Sequence, residues 1–220
     1  MKKILSVLLM AAITFVAAAD MILFEDSFAG KLKEGWTWVR ENPEGWRVTK
    51  EGLEILVEPG NMWGGANDAR NLLVRDLPAL EHGAIEIVAT LENYPTGQYE
   101  QVNLVWYYDD SHMVKIGLEL VHGQLSLVMG REEADQTATL SIIPLTANRI
   151  EVRLTGNGNE VHGTYRTPDS AAWQVGGRCT LPVNGPPKAS IQAYQGLPGV
   201  EHWAKIGGFR ITQVTKSIAG

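Results

Sequence analysis

A single cysteine, Cys179, stands in the 220 residues, so the chain closes no disulfide within itself and its core must hold the fold together unaided. The stretch around it, GGRCTLPV, carries neither a histidine partner nor a nucleophile motif, which predicts a buried core thiol rather than a catalytic one. Five histidines, His82, His112, His122, His162 and His202, never fall at a short ligand spacing such as H-x-x-x-H, which argues against a zinc centre. Basic runs are absent too: 19 lysines and arginines are scattered among 25 acids, for a net charge of −6. A surface of that sign repels phosphate backbones and argues against nucleic acid as a partner. Beyond the first twenty residues no apolar run is long enough to span a bilayer.

The N-terminus has Lys2 and Lys3, then an apolar run from Ile4 to Val16 broken only by Ser6 and Thr14, then Ala17, Ala18 and Ala19 before Asp20. That layout is the pattern of a secretory signal peptide cut after Ala19, and the run falls short of the ~20 residues that a membrane span needs. The expectation is a signal over residues 1–19 and one β-sandwich domain over 20–220, periplasmic or extracellular, with no stable membrane insertion. Losing Lys2 and Lys3 leaves 17 bases against 25 acids, a net charge of −8.

From Asp20 onward short alternating segments are separated by turn residues, the signature of many antiparallel strands. Asn42-Pro43-Glu44-Gly45, Tyr94-Pro95-Thr96-Gly97, Asp109-Asp110-Ser111, His122-Gly123 and Gly156-Asn157-Gly158-Asn159 each supply the backbone freedom or preset φ of a reversal. Between them Ile85, Ile87, Ala89 and Leu91 alternate with Glu86, Val88 and Thr90, and Val114, Ile116, Leu118 and Leu120 alternate with Lys115, Gly117 and Glu119. Two packed antiparallel sheets would bury the apolar faces. A last strand near Ile206 to Val214 is expected to pair beside the first, near Ile22 to Phe28.

The order of LFEDSF, WTWVRENPEGWRV, GLEILVEPGNMWGGANDARNLLVRDLP, YEQVNLVWYYDDSHMVKIGLEL and GGFRI resembles the concanavalin A-like jelly-roll domains of unknown function related to the C-terminal domain of family 43 β-xylosidases. The resemblance covers nearly all of the chain after the signal. It implies an all-β, concanavalin A-like jelly-roll sandwich of two antiparallel sheets. Because the related domain is accessory to a separate catalytic propeller, family 43 catalysis is not implied, and fold alone licenses no reaction.

Period-two alternation puts Trp36, Trp38 and Arg40 on one strand face, Gln101, Asn103, Val105 and Tyr107 on another, and Lys115, Gly117 and Glu119 on a third. Were these faces to share one concave surface, its rings would stack on sugar C–H faces while amide and charged groups meet hydroxyls. Trp106, alternating with Leu104 and Val102, belongs to the core. Trp63 lies in a Gly-rich loop, GNMWGGAND, as either a ligand contact or a lid, with Arg70 and Asn71 close behind; Asn71 equally suits buried backbone groups. Carbohydrate is thus the expected partner, met by Arg40, Trp63, Asn71, Gln101, Tyr107, Lys115 and Glu119.

A glycosidase reading needs two carboxyl groups flanking the bond, about 5 to 5.5 Å apart or wider; Glu41, Glu100 and Glu119 are the acids near one face, with Glu100 and Glu119 as the catalytic candidates. The Glu-x-Asp-x-x-Glu strand of family 16 glucanases has only a defective counterpart, Glu86 to Glu92, without the central acid. No cofactor is expected, although Glu25 and Asp26 are candidate ligands of a structural calcium ion. A structural protein without ligand is the third alternative.

Overall fold

The computed structural model describes residues 19–79 and 83–215; the expected signal peptide, apart from Ala19, and His82 lie outside them. The strands are β1 (Met21–Asp26), β2 (Thr37–Val39), β3 (Trp46–Thr49), β4 (Gly52–Leu56), β5 (Leu72–Asp76), β6 (Ala84–Glu92), β7 (Gln101–Asp109) and β8 (His112–Val121), followed by β9 (Gln124–Glu133), β10 (Gln136–Pro144), β11 (Arg149–Asn157), β12 (Glu160–Arg166), β13 (Gln174–Thr180), β14 (Lys188–Tyr194) and β15 (Trp203–Val214). A one-turn 3-10 helix, Pro43–Gly45, is the only helical element among the described residues.

These strands form two antiparallel sheets, one in the order β13-β12-β11-β6-β15-β4-β3 with β1 added on β15, the other β10-β9-β8-β7-β14-β5-β2. The all-β sandwich read from the alternation is therefore the architecture. Between the sheets, Ile87, Ala89 and Leu91 of β6 and Val152 and Leu154 of β11 face Val102, Leu104 and Trp106 of β7 and Val114, Ile116 and Leu118 of β8. Fully burying each of the larger aliphatic side chains is worth about 1.5–3 kcal/mol, so this layer carries most of the stability that no disulfide supplies. Cys179 packs against it half-buried, and burial pushes its thiol up to about 11.

β1 pairs with β15, from Met21 opposite Gln213 to Asp26 opposite Phe209, as expected. Glu86 and Glu92, on the outer face of β6, are held by Arg153 and Arg149. The His122-Gly123 reversal has both residues at positive φ, 49° and 76°, the primed geometry that matches strand twist. Ala134 and Asp135, at 51° and 62°, make the same kind of reversal between β9 and β10, where no residue type announced it.

One face assignment fails. Trp36 and Trp38 pack on the inter-sheet core, whereas Arg40 turns to the opposite side. The cause is local: β2 ends at Val39 and Arg40 takes a left-handed φ of 51°, which breaks the period-two rule that put the three together.

Candidate functional site

The outer face of the seven-stranded sheet is a lattice fixed by register. Glu119 lies between Gln101 and Ser126, Gly117 between Asn103 and Val128, and Lys115 between Val105 and Gly130. Two glycines make room on this face. A Cβ at Gly117 would meet Asn103 Oδ1 at 2.6 Å, and a Cβ at Gly130 would run into the indole of Trp63. The Trp63 ring thus lies against β9 with Lys115 Nζ 4.5 Å from its centroid, while Tyr194 offers a second ring at 5.9 Å.

Lys115 donates to Gln101 Oε1 at 2.5 Å and to Glu119 Oε2 at 3.1 Å. Gln101, Lys115 and Glu119 are only 1%, 3% and 7% exposed. Burial pulls the ammonium below the usual lysine range, and the adjacent Glu119 carboxylate opposes that pull. Gln101 passes the network on by donating to the Tyr99 carbonyl and to Gln195 Oε1.

Glu132, on the same face of β9, accepts from Gly64 N at 3.2 Å through Oε2, while its Oε1 is buried without a partner. Burial pushes this carboxyl up from 4.5 to about 7, with the Gly64 N–H pulling against the shift and Asp135 adding to it. Between those two values the folded state keeps a proton that the unfolded chain releases. The stability this group contributes is therefore full below pH 4.5 and is lost as pH rises through 7. Glu132→Gln, which keeps an acceptor for Gly64, is expected to raise Tm at pH 8 by about 2–4 °C, the shift for roughly 1 kcal/mol in a domain of this size. At pH 4.5 it should change little; melting curves at the two pH values check this, and an equal shift at both contradicts it.

A cavity of about 430 Å³ opens over this floor. Gln101, Lys115, Glu119 and Val128 form its base, and Trp63, Tyr99 and His122 stand around it. The structure thus brings together four residues proposed from the sequence: Trp63, Gln101, Lys115 and Glu119. Tyr99, His122 and Gln195 also line it without having been singled out, together with Asn61, Val121, Thr139 and Ile142. A His-Gly turn was the only signal of one of them, and nothing in the sequence singled out Glu132.

The other candidates lie elsewhere. Arg40 grips Asp110 through both Nη atoms and the Ala69 carbonyl through Nε, and Tyr107 donates to the same Asp110 at 2.7 Å; neither lines the cavity. Asn71 is fully buried at a left-handed φ of 55°, accepts from Asn42 N at 2.7 Å and donates to Glu58. Its role is the satisfaction of buried polar groups. Glu100 is fully buried but points away from Gln101, accepting from Thr96 N, Thr96 Oγ1 and Gly97 N with His202 3.1 Å away. The catalytic pair Glu100 and Glu119 is therefore not assembled, because successive residues of a strand face opposite sides. Glu41 meets Trp46 Nε1 instead. Asp26 is equally committed: Phe28 N, Lys33 N and Trp36 Nε1 all donate to it. Three N–H groups take three of the roughly four acceptor positions of this carboxylate, so Asp26 serves the turn after β1 rather than the calcium site expected of it with Glu25.

Two further recesses, of about 370 and 320 Å³, lie on the outer face of the eight-stranded sheet. Their linings mix charged side chains such as Arg149, Glu151, Arg166 and Lys33 with small and uncharged ones, and Phe209 is their one aromatic ring. The cavity beside Trp63 has both rings and paired polar groups, the composition expected of a ligand site.

No protein-family model matches the chain, and no curated protein does. Solved structures do. A xylan β-1,4-xylosidase from Bacillus halodurans superposes with a TM-score of 0.74 at 18% identity over 86% of this chain. This chain spans 39% of that one. A functionally unknown protein from Saccharomyces cerevisiae gives a TM-score of 0.63 at 14% identity, covering 83% of this chain and 98% of its own. The CBM2 module of an evolved Dit protein from the Lactobacillus casei phage J-1 gives 0.57 at 12%, over 91% and 98%. At these identities the likeness is one of fold, and the fold is the jelly-roll sandwich that the resemblance implied.

Proposed function

We propose that this chain is an exported carbohydrate-recognition or accessory domain, working in the periplasm or outside the cell, whose cavity beside Trp63 receives a sugar. The observation that carries the reading is the meeting, in one recess, of the Trp63 indole and Tyr99 ring with the bonded set Gln101, Lys115 and Glu119. A pyranose presents apolar C–H faces to rings and hydroxyls that both donate and accept, and this lining supplies each counterpart. The fold shared with a xylan β-1,4-xylosidase and a CBM2 module supports the same reading.

Glycan-array and affinity-gel measurements test it. Wild type is expected to bind, and Tyr99→Ala, a change at a half-exposed wall residue, should weaken binding about tenfold, roughly 1.4 kcal/mol. Wild-type silence across the array contradicts the proposal and favours a structural protein without ligand.

Turnover is a distinct outcome of the same assay. Glu119 is the one carboxyl group lining the cavity, whereas glycoside hydrolysis uses two that flank the bond, so binding without reducing-sugar release is expected. Release that disappears in Glu119→Gln contradicts recognition alone and supports a glycan-active enzyme.

A further inference from the structure

We infer that the recess takes the terminus of a neutral glycan, about one to two units deep, and not an internal stretch of polymer. This inference rests on the sugar-binding reading above.

An internal stretch needs a groove open at both ends, and here one end is walled. The Trp63 wall is fastened on several sides. Asn61 Oδ1 accepts from Met62 N and Trp63 N, Gly64 N is tied to Glu132, and Arg40 Nε holds the Ala69 carbonyl at 2.6 Å. Met62 and Ala69 are fully buried against Leu72, Val74, Val105 and Tyr107, so beyond Trp63 the sheet face is filled by the protein's own chain. At the other side Tyr99 and His122 stand with ring centroids 6.3 Å apart, both on left-handed backbone at the strand ends.

Depth points the same way. Gln101, Lys115 and Glu119 are almost wholly buried, so a polymer lying across the rim would not reach them, whereas a chain end entering the recess would. The volume, about 430 Å³, sits near the low end of the roughly 300–1,000 Å³ of small-molecule sites. Charge sets the class. The Lys115 ammonium, the one lysine or arginine side chain in the lining, is already bonded to Glu119 and Gln101, so its charge is offset before a sugar carboxylate arrives.

Calorimetric titration with β-1,4-linked xylo- and gluco-oligosaccharides of one to six units, with oligogalacturonides as the charged control, tests this. For whichever neutral series binds, affinity is expected to rise from one to two units and then stay within about twofold to six. On xylan of known mean chain length, bound protein should not exceed one per chain end, whatever the length. The oligogalacturonides should bind at least tenfold more weakly. Trp63→Ala, which removes a stacking ring but leaves the buried chain behind it in place, should weaken binding of every oligomer without letting affinity rise past two units. Affinity climbing through six units in wild type, or bound protein scaling with xylan length, overturns terminal recognition while leaving sugar binding intact; equal binding of the charged series overturns its neutral specificity. Silence in both neutral series overturns the sugar reading itself.

Discussion

Lys115→Ala is expected to cost about 3–5 kcal/mol of folding stability, the usual penalty when one partner of a buried ion pair is removed. The magnitude follows from what is left behind. Glu119 is left without its cation at 7% exposure, Gln101 Oε1 loses its shortest donor, and the Trp63 and Tyr194 rings lose the lysine stem and ammonium beside them. Desolvating an unpaired carboxylate costs several kcal/mol, which no rearrangement of Gln101 offsets. In a domain of this size the loss corresponds to a fall in Tm on the order of 10 °C. The double variant Lys115→Met with Glu119→Gln removes both charges, keeps the volume and should recover most of the loss. Urea and thermal unfolding of the three proteins check the ordering. A single variant within about 1 kcal/mol of wild type contradicts a desolvated pair.

Asp26→Ala is expected to be nearly as costly, about 3 kcal/mol or more, since an orphaned buried donor costs about 1–3 kcal/mol and three donors converge there. Phe28 N and Lys33 N close the turn after β1, and Trp36 Nε1 ties that turn to the ring cluster of Phe24, Phe28 and Phe209. Asp26→Asn keeps one acceptor oxygen and should lose about half as much. Millimolar calcium or a chelator should leave the wild-type melting curve where it is. A calcium-dependent rise abolished in Asp26→Ala contradicts the account of this carboxylate as a turn-holder.

The sandwich was legible because period-two alternation is a direct image of two-sided strands. β6, β7 and β8 carry it without interruption, and their apolar halves form the inter-sheet layer. The same rule put Lys115 with Glu119 on one strand face and Gln101 on another, and the structure brings the two faces together and bonds them. It failed at Arg40, which is left-handed, since a single positive φ redirects a side chain without any change in residue type. The partners of Glu100 and Asp26 were hidden for a different reason. Their carboxylates accept from N–H groups, and a backbone donor has no signature in a sequence. Glu132 carried no signal because its burial comes from Gly64 and the Trp63 loop, some 68 residues earlier in the chain. The Gly-rich composition of that loop hinted at close approach, and Gly130 beneath the indole completes the fit, but their meeting is a matter of register between distant segments.

The account stands most directly on where a sugar touches. Indole and amide chemical shifts, followed by ¹H–¹⁵N NMR during titration with the oligosaccharide that binds best, locate that contact, with Trp63→Phe identifying the Trp63 indole. Saturable shifts of Trp63 Nε1 and of the Tyr99 and His122 amides are expected, while the indole of Trp173, stacked by Arg153 and Arg166 on the other sheet, stays still. Shifts that saturate around Trp173 or elsewhere on the eight-stranded sheet, with Trp63 unmoved, contradict it.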